Sequence, residues 1–163
     1  MDKHFELTNK FIINAFGVKL FQIKCTRRIK YAEVGDLGGY IEKEDNLSGD
    51  AWVSGDAQVS GDAWVYGDAQ VSGNAQVSGD AQVSGDARVS NDNEHCGFDC
   101  FGSANRHTHS YKTKSGKIEI TCGCFRGSIE EFEKQIKETH RGNEFERQYI
   151  AIVEVIKIKF GLK

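Results

Sequence analysis

Between Leu47 and Glu94 the chain repeats every six residues: LSGDAW, VSGDAQ, VSGDAW, VYGDAQ, VSGNAQ, VSGDAQ, VSGDAR and VSNDNE. Eight units follow one another without an insertion, and a short fixed period constrains a fold more than any single residue does. Position one is always Leu or Val, position three is Gly up to Asn91, position four is Asp or Asn, and position five is Ala up to the last unit. A six-residue step matches neither the 3.6-residue helical period nor a long strand, because each unit carries its own Gly-Asp turn signal. It fits a parallel β-solenoid of short strands, one side per hexapeptide and 18 residues per coil.

From residue 41 to residue 94 the repeat, with IEKEDN as a degenerate opening rung, gives about three coils, a prism roughly 15 Å tall at ~4.8 Å per coil. Residues 18 apart then stack. The expected inward columns are Ile41/Val59/Val77, Leu47/Val65/Val83 and Val53/Val71/Val89, with the position-five alanines in the corners. Trp52, Gln70 and Arg88 share one outward column, and Trp64 lies between Asn46 and Gln82 on another. The acidic position stacks as Asp50/Asp68/Asp86, Asp56/Asn74/Asp92 and Asp62/Asp80. Asp and Asn in repeat corners commonly serve by bonding turn amides. The same carboxylates also present a fixed negative surface to a basic partner.

Charge follows this organisation. The formal net charge is −3, but residues 41–94 hold eleven acidic against two basic side chains, and the remainder holds thirteen against nineteen. The basic ends leave direct nucleic-acid binding open, and the acidic centre argues against it. No apolar run approaches the ~20 residues of a membrane span. The start, MDKHFELTNK, lacks a signal-peptide pattern, so a cytoplasmic protein is expected.

Residues 1–40 read as an arm and cap. One or two strands are expected across 16–31, with Val18, Leu20, Ile23 and Cys25 facing inward, and GDLGGY as a turn-rich junction covering the open end of the solenoid.

Residues 95–163 have a different composition. His95, Cys96, Cys100, His107, His109, Cys122 and Cys124 fall within thirty residues. Five cysteines, an odd number, favour thiols or a metal over a disulfide framework. A structural zinc site needs four thiolate or imidazole ligands, commonly as two pairs. Cys96, Cys100, Cys122 and Cys124 are the expected set, with His107 or His109 as substitutes. A hairpin of 106–112 and 117–123 around Thr113–Gly116 would bring the pairs together. Its even-numbered Ile118, Ile120, Cys122 and Cys124 share one face, and odd-numbered His107, His109 and Tyr111 share another. The two faces coincide only if paired positions sum to an odd number. No open catalytic zinc position is marked, and buried apolar thiols beside surface histidines account for the same residues.

Ser128-Ile-Glu-Glu131 has the form of a capping box opening a helix to Thr139 or His140. Asn143 caps a second helix through residues 144–160, although AIVEVIKIKF also suits a strand. The fold expected for the whole chain is mainly β with α: a parallel β-helix plus a C-terminal α+β module of a hairpin and two helices.

The repeat resembles the hexapeptide pattern of left-handed β-helices, a family that includes many acyltransferases. That resemblance implies a left-handed coil. An acyltransferase of that class uses a His beside a loop interrupting the helix, and residues 47–94 contain neither. GDLGGYIEKEDNLSGDAWV together with CGCFRGSIEEFEKQIKETH resembles small proteins encoded by phages and prophages. Some compact phage proteins inhibit bacterial defence, including anti-CRISPR proteins. The function expected is therefore a non-enzymatic binding protein, docking on a host protein such as a CRISPR-Cas nuclease. The expected contacts are Asp50, Asp56, Asp62, Asp68, Asp80, Asp86, Trp52, Trp64 and Tyr66. A phage-particle assembly component is the structural alternative.

Overall fold

The computed structural model describes residues 3–163. It divides into two compact units, Met1–Asp92 and Asn93–Lys163.

In the first unit each hexapeptide supplies one two-residue strand. These are β4 (Trp52–Val53), β5 (Gln58–Val59), β6 (Trp64–Val65), β7 (Gln70–Val71), β8 (Gln76–Val77), β9 (Gln82–Val83) and β10 (Arg88–Val89). Partners are parallel and eighteen residues apart, as in Val53 with Val71 and Val71 with Val89. Val59 pairs with Val77, Val65 with Val83, and Leu47 bridges to Val65. The position-one residues are fully buried, and the position-five alanines are at most 3% exposed. N–H groups of one turn donate to carbonyls of the next, as from Asp50 to Gly67 and from Trp52 to Ala69. The inward columns expected from the sequence are those observed, whereas Asn46, expected on an outward column with Trp64, is buried.

Glycine at position three has φ between +61° and +71° in every unit that carries it. The left-handed conformation turns the chain, and stacking then brings glycine over glycine. A Cβ on Gly49 would lie 2.9 Å from the Gly67 nitrogen, so Gly49 is closed to other residues by conformation and by space.

The arm carries more strand than its sequence suggests. β1 (Phe5–Ile13) and β2 (Lys19–Cys25) form an antiparallel hairpin, and β2 pairs antiparallel with β3 (Leu37–Ile41). β3 then pairs parallel with β5, giving a sheet ordered β1-β2-β3-β5-β8. GDLGGY is thus largely strand, not a junction. Its glycines are needed for close approach: a Cβ on Gly38 would meet the Val53 carbonyl oxygen at 2.5 Å, and one on Gly39 the Ala57 oxygen at 2.7 Å. Leu20, Ile23 and Cys25 are buried, with a register shift between Gln22 and Lys24 accounting for the change of parity, whereas Val18 is only half-buried. Ile41 pairs with Val59, so IEKEDN opens the repeat; its end forms a single 3₁₀ turn, Glu44–Asn46. Asn46 is fully buried, donating to the Gly61 and Ala63 carbonyls and accepting from the Lys43 amide.

The second unit is a four-stranded antiparallel sheet with two helices. Its strands are β11 (His95–Phe101), β12 (Arg106–Lys112), β13 (Ile118–Cys122) and β14 (Phe125–Ser128), in sequence order. The expected hairpin is β12–β13, and β11 and β14 extend it on either side. Helices α1 (Ile129–His140) and α2 (Glu144–Phe160) follow. Ser128 accepts from the Glu131 amide, and Glu131 accepts from the Ser128 amide, which is the expected capping box. Asn143 accepts from the amides of Phe145 and Glu146, and α2 is helix throughout its β-branched stretch. Ile120, Phe132, Ile136, Tyr149, Ile152, Val153 and Ile156 form the core between sheet and helices. Tertiary burial of one helical stripe overrides the β-propensity of AIVEVIKIKF. Among the described residues no helix is long and apolar enough to cross a membrane.

Candidate functional site

On the solenoid, the side formed by β6 and β9 carries Trp64 and Tyr66. The two rings stack, with centroids 4.1 Å apart and 26° between planes. The Trp64 indole N–H donates to the Ser48 hydroxyl at 2.7 Å, while 42% of the residue stays exposed. A large aromatic held in place by a stack and a hydrogen bond loses little conformational freedom when a partner covers it. Trp52 occupies the same place in its unit but is 5% exposed, with the His4 ring 6.2 Å away. The arm covers it, so Trp52 is removed from the expected contact surface.

The corner carboxylates fall into two groups. Asp50 pairs with Arg27 at 3.2 Å, Asp68 with Lys30 at 4.0 Å and Asp62 with Lys43 at 2.6 Å. The hydrogen bond from Lys43 holds the Asp62 carboxyl below its ordinary value. Asp56, Asp80 and Asp86 are exposed and have no ion pair among the described residues. None of these six aspartates bonds a backbone amide among the described residues; Asp92, in the last unit, accepts from the amide of the β8 residue Gln76, sixteen residues earlier. Bonding of a turn amide thus accounts for none of the six, and Asp92 ties its unit to the preceding coil instead. Asp62 and Asp80 lie in the corners that precede the Trp64–Tyr66 side, and Asp68 and Asp86 in those that follow it.

In the second unit the sheet separates the two residue types. Thr108 pairs with Cys122 and His109 with Thr121, so paired positions sum to even numbers. Cys96 and Cys122 belong to the helix-facing core, and the histidines lie on the other face. Cys96 contacts the Ser110 hydroxyl at 3.0 Å, and Cys122 accepts from Thr108 at 3.3 Å and contacts the Tyr149 hydroxyl at 3.8 Å. Cys100 and Cys124 are exposed, and all five thiols are free of disulfides. The four cysteines are not brought together, and among the described residues there is no group of three His, Cys, Asp or Glu placed to hold a metal ion.

The sequence put His107 and His109 on one face but did not show that His95 and Asp99 join them. His95 and His109 share a hydrogen bond between Nδ1 and Nε2 at 3.0 Å, and the His107 and His109 ring centroids are 5.7 Å apart. Asp99 accepts from His107 Nδ1. The spacing His-x-His at 107 and 109 was the available signal, since residues two apart in a strand share a face.

A cavity of about 430 Å³ beside α1 is lined by Arg106, Cys122, Cys124, His140 and Tyr149 over a Phe125 and Phe132 floor. Burial pushes the Tyr149 phenol up to about 12, and the adjacent Cys122 adds to the shift. The phenol is therefore protonated at neutral pH.

Comparison with known proteins places the repeat alone. Residues 57–73 and 81–92 match the model of the YdcK β-solenoid repeat. The solenoid is similar to that repeat. The match covers strands β5 to β7 and β9 to β10 and leaves the arm and the second unit outside it. No curated protein matches the chain.

Proposed function

We propose that this chain is a non-enzymatic binding protein whose solenoid, wound as a three-coil left-handed prism, docks on a basic macromolecular partner through the Trp64–Tyr66 side. The observation that carries this reading is the stacked, half-exposed Trp64 set between corner carboxylates that bond no turn amide. An aromatic anchor ringed by charge is the arrangement in which apolar burial supplies affinity and the field supplies steering and selectivity. A partner that handles nucleic acid offers the complementary surface, a groove of Lys and Arg. Within that class a bacterial defence nuclease, such as a CRISPR-Cas effector, is the partner we put forward, with the host cytoplasm as the place of encounter. The resemblance to small phage proteins favours that partner over an acyl-group substrate.

The test is gel filtration of the full chain with a Cas nuclease at rising salt. A complex that forms at low salt and weakens as salt is added is expected, because the charges are exposed and screened. Trp64→Ala should weaken it by roughly thirtyfold or more, the range of an interface anchor. Asp80→Asn with Asp86→Asn should chiefly slow association. No complex at low salt rejects the nuclease; a complex indifferent to Trp64 rejects the surface.

A further inference from the structure

The antiparallel register of β11 and β12 sets His95 opposite Tyr111 and Gly97 opposite His109. Side chains two apart share a face, so His95, Gly97 and Asp99 of one strand meet His107 and His109 of the other. We propose that His95, His107 and His109 form a three-histidine site for a divalent transition-metal ion, zinc by the character of the donors, with Asp99 as the group that orients His107.

Three observations support it. The first is His107. Its Nδ1–H is taken by Asp99, so in the neutral ring Nε2 carries the lone pair. That Nε2 is buried and has no hydrogen-bond partner. A buried acceptor without a donor is costly, and a carboxylate behind a histidine is the usual second partner of a metal-bound imidazole. The second is the His95–His109 pair. Its nitrogens lie 3.0 Å apart, close to the roughly 3.3 Å that two imidazoles keep on one tetrahedral zinc with bonds near 2.05 Å. Both rings coordinate when the donor ring moves its shared proton to its other nitrogen, so a neutral pair loses no net proton.

The third is Gly97. A Cβ there would lie 2.8 Å from His107 Nε2 and 3.6 Å from His109 Cδ2. The space beside both rings is kept open by the absence of a side chain. No group of three His, Cys, Asp or Glu among the described residues is placed to hold a metal ion, so the site forms only when the His107 ring moves toward the His95–His109 pair. Imidazole nitrogen is a ligand for zinc, copper and nickel, and not for calcium or magnesium. A water molecule would hold the fourth tetrahedral position. The helix-facing thiols of Cys96 and Cys122 cannot contribute, because they lie on the opposite face of the sheet.

The experiment is zinc titration of the full chain by calorimetry, with metal content after dialysis and the absorption spectrum of the cobalt(II) form. One equivalent of zinc is expected. His95→Ala and His107→Asn should each weaken binding at least tenfold, and Asp99→Asn tenfold to a hundredfold. Gly97→Ala, which removes no ligand, should weaken it as strongly by filling the space. Replacing Cys96, Cys100 and Cys124 together by Ser should leave it unchanged. Each variant is first checked for a wild-type far-ultraviolet spectrum and a cooperative melt. The unaltered chain supplies an independent reading, since nitrogen and oxygen ligation gives cobalt no thiolate charge-transfer band. No zinc binding, loss of zinc on cysteine replacement, or a thiolate band would each overturn the proposal.

Discussion

Thr108 sits directly across from Cys122 in the β12–β13 hairpin, its hydroxyl 3.3 Å from the sulfur. Because side chains alternate along a strand, this pairing sends Cys122 toward the helices and His107 and His109 to the other face. A shift of one residue would have put thiols and imidazoles together.

The thiols should therefore differ in reactivity. Cys100 and Cys124 are exposed, Cys25 and Cys122 are buried, and burial raises the Cys96 thiol above its ordinary value. The thiolate is the reacting form, so Cys96 is slow despite being only half-buried. Pulse alkylation at neutral pH, read by mass spectrometry, should label Cys100 and Cys124 first and the other three much later. Equal protection of Cys96, Cys100, Cys122 and Cys124 would instead point to a shared metal.

Two glycines one hexapeptide apart should respond very differently to alanine. Gly73 and Gly79 have φ of +61° and +66°, so both substitutions carry the left-handed cost of about 1 kcal/mol. A Cβ on Gly73 would also fall 2.2 Å from the Ser90 carbonyl oxygen, whereas one on Gly79 meets nothing within 4 Å. Gly73→Ala should thus destabilise by about 3 kcal/mol or more and Gly79→Ala by about 1 kcal/mol. Urea unfolding of the pair measures the difference; equal midpoints would show that the turns relax freely.

The repeat was legible because its first, third and fifth positions each have one structural task, so the period alone places Val53 over Val71 and Gly49 over Gly67. Where a residue's role depends on a neighbour supplied from elsewhere in the chain, the pattern is silent. Trp52 and Trp64 stand in near-identical units, yet Trp52, with His4 of the arm 6.2 Å from its ring, is buried and Trp64 is not. Gly38 and Gly39 look like a turn in sequence, yet they are strand residues because carbonyls of the next turn approach them. β1 was missed because FELTNKFII lies at an edge and does not alternate cleanly in burial. In the second unit the hairpin was readable from Thr113–Gly116, while the parity of its register was not. That parity decides which of Cys122 and His109 can share a site.

Asn46 anchors the opening of the repeat. Its amide donates to Gly61 O at 3.0 Å and Ala63 O at 2.8 Å, and its oxygen accepts from Lys43 N at 2.9 Å. Asn46→Ala would strand all three backbone groups in a site closed to solvent, costing about 3 kcal/mol. Asn46→Asp keeps the acceptor but loses both donations and adds a buried charge, so it should be no better. Chemical denaturation of the two variants checks the order, and a loss below 1 kcal/mol for alanine would mean that water replaces the amide.

His4 should make the first unit sensitive to mild acid. Its ring is 2% exposed and bonds the Ala51 carbonyl through Nε2 at 2.9 Å. Burial holds its pKa below the ordinary 6.5; the Ala51 bond and Asp50 oppose that shift, and Arg27 adds to it. Above 6.5 the ring is neutral in both folded and unfolded chains, and stability does not depend on its titration. As pH falls through 6.5 the unfolded chain takes up a proton that the folded chain refuses until its lower pKa is reached. Stability is therefore lost across that window and levels off beneath it. His4→Gln can keep a donor toward Ala51 without titrating. It should start less stable than the parent at pH 7.5 and lose less between pH 7 and pH 5 in thermal melts. An acid loss as steep in the variant as in the parent would assign the sensitivity to other groups.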